Sequence, residues 1–112
     1  MVQAALDAAC AEMAGCGTLA FADLSTHMVL MTNSDAPLSQ DQLNELCVEA
    51  GKCLNDGNLA LVADHTETRL FLRSSQEPDD ALFCVLDPGC DLKMVLPAVQ
   101  DCLTQIAGGS ET

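Results

Sequence analysis

Apolar residues recur along this chain with two periods that alternate. Val2, Ala5, Leu6, Ala9, Cys10 and Met13 stand three and four residues apart, the single stripe of an amphipathic helix from Val2 to Met13. Gly15 and Gly17 end it. From Thr18 to Asp23 the period shortens. Leu19 and Phe21 alternate there with Ala20 and Ala22, so both faces are apolar, and the strand is predicted to be central and covered on both sides. Ser25 and Thr26 make a polar turn, and His27 to Thr32 reads as the return strand, carrying Met28, Val29, Leu30 and Met31.

After a loop over 33–37 the helical period returns. Ser39 and Gln42 have the spacing of a capping box ahead of a helix from about Gln40 to Leu54. Its buried stripe is predicted to be Leu43, Leu46, Cys47, Ala50, Cys53 and Leu54, with Val48 off the stripe among Asn44, Glu45 and Lys52. Asn55, Asp56, Gly57 and Asn58 break the helix. Three strands follow, Leu59 to Ala63, Arg69 to Arg73 and Ala81 to Leu86, separated by a turn over 64–68 and a polar loop over 74–80 that contains Pro78. Asp87-Pro88-Gly89 turns the chain, and Asp91 is a good N-cap for a last helix with Leu92, Val95, Leu96, Val99, Cys102, Leu103 and Ile106 on one face. Pro97 predicts a kink, or a helix that begins at the proline. Gly108 and Gly109 stop it.

The order is α-β-β-α-β-β-β-α. The α-β-β unit occurs twice, each time on nearly the same frame: Cys10-Ala11-Glu12 leads to Cys16 and Leu19 to Asp23, and Cys47-Val48-Glu49 leads to Cys53 and Leu59 to Asp64. Hairpin links favour an antiparallel sheet, and three helices cannot share one face of a sheet of five strands. The fold class is therefore α+β: a five-stranded antiparallel sheet with helices on both faces, one domain over 1–107 and a tail over 108–112.

Composition narrows the function. With 49% hydrophobic and 19% charged residues, the chain is not of disordered type. Seventeen acidic residues against four basic ones give a net charge of −13. Lys52, Lys93, Arg69 and Arg73 cannot replace the counterions of a phosphate backbone, which excludes a nucleic-acid partner, and anionic membrane surfaces fail for the same reason. No apolar run reaches the roughly 18 residues of a bilayer span, so no membrane insertion is expected. No basic, then apolar, leader pattern opens the chain, which points to a cytoplasmic location.

Seven cysteines could suggest a stapled scaffold, but the count is odd and aliphatic core material is ample, so reduced cysteines in the core are expected. Cys10 and Cys16, Cys47 and Cys53, and Cys84 and Cys90 each have five residues between them, where structural zinc sites use about two to four. On a continuous helix such a spacing rotates one thiol about 240° from the other, so the pair points apart unless a helix end intervenes. His27 and His65 lie in or beside hairpins with no Cys-x-x-Cys near them. Neither a metal nor a cofactor is expected. The carboxylates fall in turns and caps, there is no glycine-rich phosphate loop, and there is no Trp or Tyr, so no catalytic constellation is read and the chain is taken as non-enzymatic.

One signal remains. Leu59, Ala60, Leu61, Val62 and Ala63 include no charge, proline or glycine, and an open sheet must expose two edges. If this strand is an edge, it is a self-pairing surface, with Val48 on the preceding helix beside it. If it is internal, Val48 is an ordinary exposed apolar residue.

At this point the chain resembles the Roadblock (dynein light chain, longin-related) family, in its small prokaryotic form. The resemblance spans about residues 2–106. It rests on the element order and on three places: Thr18 to Asp23 with Met28 to Met31, the long helix before Leu59 to Ala63, and Leu82 to Leu86 followed by Gly89 and the helix Leu92 to Ile106. Two features depart from the pattern: Leu24-Ser25-Thr26-His27 replaces the glycine usual after the aspartate, and Pro97 lies in the last helix. The resemblance implies a profilin-like sheet and a homodimer sharing a ten-stranded sheet through the third strand and second helix. It also implies no active site and a regulatory or scaffolding role toward a Ras-like small GTPase. The docking positions it implies are Gln42, Glu45, Val48, Glu49 and Lys52. No arginine is well placed to act as a finger, which favours scaffolding over catalytic activation. Two rival readings are a ligand-sensing PAS-like or profilin-like domain, which needs a pocket between sheet and helix, and a cysteine-based redox or metal-binding module.

Overall fold

The computed structural model describes residues 2–13, 15–33, 38–54, 57–74 and 79–108. Its elements are α1 (Val2–Glu12), β1 (Cys16–Asp23), β2 (Met28–Thr32), α2 (Gln40–Cys53), β3 (Leu59–Ala63), β4 (Thr68–Arg73), β5 (Asp80–Leu86) and α3 (Leu92–Gly108). The sheet has the order β2-β1-β5-β4-β3, and every neighbouring pair is antiparallel. Predicted loop residues 34–37, the helix breakers Asn55 and Asp56, Pro78, and the tail from Gly109 onward lie outside the described residues.

Alternation along the strands divides the core into two layers. Leu19 and Phe21 of β1, Leu70 and Leu72 of β4, and Leu82, Cys84 and Leu86 of β5 face α1 and α3, meeting Leu6, Ala9, Val95, Val99, Cys102 and Leu103. On the opposite side Ala20, Ala22 and Ala81 lie under α2 with Phe71 and Phe83. Those alanines lower the sheet surface so that one helix, through Leu43, Leu46, Cys47, Ala50 and Leu54, can seat closely on it. The two phenylalanines meet edge to face, with centroids 5.4 Å apart and planes at 78°. β1 is thus covered on both sides, as its double apolar pattern predicts.

Local signals end the helices as expected in two cases. Ser39 Oγ accepts from the Gln42 N–H at 3.3 Å, and Gln42 Oε1 accepts from the Ser39 N–H at 2.8 Å, closing the capping box of α2. Asp91 Oδ1 accepts from the Lys93 N–H at 3.0 Å ahead of α3. Pro97 does not start that helix, which begins at Leu92 and carries the proline inside it. The capping aspartate and the apolar face of α3 hold the turn before Pro97 despite the lost amide.

One expectation about cysteines needs correction. Cys53, placed on the buried stripe of α2, is exposed. It lies in the last turn of the helix, past the point where the stripe meets the sheet, and Leu54 takes the buried place instead. The Cys10 and Cys16 thiols do not point apart: their Sγ atoms are 2.8 Å from each other. The helix-end exception applies here, because α1 ends at Glu12 and Cys16 belongs to β1.

Candidate partner-binding surface

β3 is an edge of the sheet, bonded to β4 and, among the described residues, to no other strand. Its register runs without interruption from Leu59↔Leu72 to Ala63↔Thr68. Ala60 and Val62 turn toward the α2 layer and are half-buried there. Leu59 and Leu61 turn to the other face, beyond the reach of α1 and α3, and are 48% and 46% exposed. The strand therefore offers a straight, unpaired backbone edge flanked by apolar side chains.

The opposite edge, β2, is also apolar, with Met28 and Leu30 exposed. It is not straight. The β1–β2 register shifts between Phe21 and Ala22, and the turn before β2 places His27 at φ 57°, in the left-handed region. A bulged, bent edge is a poor template for another strand. The left-handed His27 also occupies the conformation that a glycine commonly supplies in such turns.

α2 is tied to the β3 side of the sheet through β4. Arg69 Nε donates to Glu49 Oε1 at 2.7 Å and Nη2 to Glu49 Oε2 at 3.2 Å, while Nη1 donates to Glu67 at 2.9 Å and to Asp64 at 3.4 Å. The two-pronged bond to Glu49 fixes the rotation of the helix about its axis. Arg73 is spent on the end of the same helix, donating through Nη2 to the Leu54 carbonyl at 2.7 Å and the Gly57 carbonyl at 2.6 Å.

The docking positions expected on α2 therefore divide. Glu45, Val48 and Lys52 share the outer face, and Val48 is 55% exposed. Gln42 and Glu45 flank an open cleft of about 290 Å³ between α2 and the sheet, with Leu46, Glu67, Arg69 and Val85. Glu49 lines that cleft as well, but its carboxylate is held inward by Arg69. Sequence reading missed this engagement because the guanidinium arrives from β4, twenty positions along the chain. Among the described residues, no group of three or more His, Cys, Asp or Glu side chains is arranged to hold a metal ion. No described helix is long and apolar enough to cross a membrane.

No family model and no curated protein matches the sequence. Solved structures match its shape. A Roadblock/LC7 domain from Streptomyces avermitilis superposes with a TM-score of 0.79 at 8% identity, covering 98% of each chain. MglB from Myxococcus xanthus gives 0.77 at 8% identity over 98% of this chain and 94% of that one. An MglB solved with a tetrameric arrangement gives 0.76 at 12% identity over 96% and 85%. What these proteins have in common with this chain is the fold.

Proposed function

From a chain with the Roadblock/LC7 fold, we propose a non-enzymatic module in which two copies pair through β3 and α2 and present a docking platform to a Ras-like small GTPase. The observation that carries this reading is the straight, apolar edge at Leu59 to Ala63, beside the strand to which α2 and its exposed Val48 are anchored. Antiparallel pairing of β3 with its own copy satisfies the open backbone groups and extends the sheet across a two-fold axis. The tetrameric arrangement of an MglB with this fold supports self-association as a use of the fold.

On the assembled pair, Gln42, Glu45, Val48 and Lys52 form the partner-facing layer, and Glu49 supports it through Arg69. The charge of −13 favours a partner with a basic face, by steering its approach. Both arginines are engaged within the fold, which supports scaffolding over insertion of an arginine into a GTPase site.

The test has two arms. Leu61→Arg places a charge at the middle of β3, and the dimer dissociation constant in sedimentation equilibrium rises roughly tenfold or more. An unchanged mass distribution removes β3 from the interface. In the second arm a GTPase encoded beside this gene is captured on immobilised chain. Gln42→Lys with Glu45→Lys abolishes capture while mass in solution stays dimeric, and undiminished capture removes the α2 face as the docking layer.

A further inference from the structure

The turn between α1 and β1 does more than reverse the chain. α1 ends at Glu12, Met13 bonds back to the Cys10 carbonyl at 3.2 Å, and the Cys16 N–H bonds to the Met13 carbonyl at 3.2 Å. Gly15 makes the reversal at φ +84°, where a side chain would be strained and would press on Asp87. The β1–β5 register then shifts between Cys16 and Thr18. Strand parity alone would aim Cys16 at the α2 face, with Ala20 and Ala22. The shift turns it to the α1 face, where it packs against the two-helix core.

There it meets Cys10. The two sulfurs are 2.8 Å apart, and Cys10 Sγ also reaches the Cys16 carbonyl at 3.5 Å. Asn33 Nδ2 donates to Cys10 Sγ at 3.6 Å while its Oδ1 accepts from the Leu19 N–H at 2.9 Å, so a buried amide orients the first thiol. Cys84 Sγ lies 3.8 Å from Cys16 on the other side and is fully buried. Cys10 and Cys16 are both partly exposed. A helix end, a left-handed glycine and a register shift thus converge on one pair of side chains.

We propose that Cys10 and Cys16 form a dithiol site, oxidised to an intramolecular disulfide by low-molecular-weight disulfides and reduced again by low-molecular-weight thiols. The Cys10 thiolate attacks the small disulfide, forming a mixed disulfide and expelling one thiolate, which takes up the proton Cys10 lost. Cys16 then attacks the Cys10 sulfur, and the second small thiolate leaves with the Cys16 proton. Two protein thiols lose two electrons, and one small disulfide becomes two thiols. The order follows from the surroundings: its bond with Cys84 and its burial push the Cys16 thiol well above the usual range, so it is the poorer first nucleophile.

The full chain is equilibrated in glutathione buffers of rising oxidised fraction, alkylated, and cut after glutamate. Cleavage at Glu12 and Glu45 puts Cys10 in fragment 1–12 and Cys16 in fragment 13–45. The expected product is these two fragments joined by a disulfide, with two fewer alkylated thiols per chain and reversal by reduced glutathione. Exposed Cys53 takes up glutathione singly in the same sample. Cys10→Ala abolishes the joined species while far-ultraviolet circular dichroism stays unchanged, and Cys84→Ala retains it. Separate glutathione adducts on fragments 1–12 and 13–45, or fragment 13–45 joined instead to the fragment bearing Cys84, overturn the proposal.

Discussion

Cys10 and Cys16 touch, whereas Cys47 and Cys53, with the same spacing in the second copy of the same α-β-β frame, do not. In the first copy the helix stops between the two cysteines, and Gly15 folds the second back under the first. In the second copy the helix runs through both, so Cys47 is 1% exposed on the sheet-facing side of α2 while Cys53 faces solvent. The spacing of two residues says little about their distance until the end of the element between them is known. The layers reflect the same divergence. α1 shares its face of the sheet with α3, and α2 has the other face to itself.

Three paired experiments break or sharpen this contrast. The largest effect belongs to the second frame. Cys47→Ser buries a hydroxyl against Leu43 and Phe71 and costs about 1–3 kcal/mol in urea unfolding, whereas Cys53→Ser stays within about 0.5 kcal/mol. Equal costs would mean that the two positions are not differently buried.

The glycines give the next pair, with opposite signs. Gly15→Ala forces a side chain into the left-handed region beside Asp87 and destabilises by about 1–2 kcal/mol. Gly51→Ala, within α2 and meeting, among the described residues, only a histidine carbon at 3.9 Å, stabilises by about 0.5–1 kcal/mol. A loss at both positions would contradict the uninterrupted second helix.

The smallest effect lies in the hairpin turns, where the two copies agree best. Asp23 Oδ1 accepts from Ser25 Oγ and N–H at 2.6 and 2.9 Å, and Asp64 Oδ1 accepts from Thr66 Oγ1 and N–H at 2.6 and 2.8 Å. The hydroxyl bond, followed by the amide bond, holds each carboxyl below the ordinary carboxylate range. Asp64 gains a further bond from the Glu67 N–H at 2.9 Å and the charge of Arg69. A lowered pKa stabilises the fold above the unfolded value of about 4 and is lost as pH falls through the folded value. In a carboxyl-carbon NMR titration both aspartates titrate below the unfolded value of about 4, Asp64 below Asp23, and Thr66→Ala moves Asp64 upward. The reverse order would break the parallel between the turns.

Much of the fold was legible because its signals are local. The capping box at Ser39 and Gln42, the aspartate turns, the doubly apolar β1 and the stripe of α3 each need only neighbouring residues. The β3 edge was legible only as one of two alternatives, since an apolar run looks the same at an edge as inside a sheet. Strand order decided it. The engagement of Glu49 was illegible because Arg69 reaches it from another strand. The helix end before Cys16 was legible from Gly15 and Gly17, but the Cys10–Cys16 contact stayed hidden because the register shift between Cys16 and Thr18 has no residue code of its own.

What the sequence by itself determined is the succession of elements and the face each presents, because periodicity, caps and turn chemistry act within a few residues. The tertiary structure alone decided which strand was left at the rim, which carboxylate was taken by an arginine, and which pair of thiols met. Those outcomes depend on distances between segments far apart in the chain, and such distances exist only once the layers have packed.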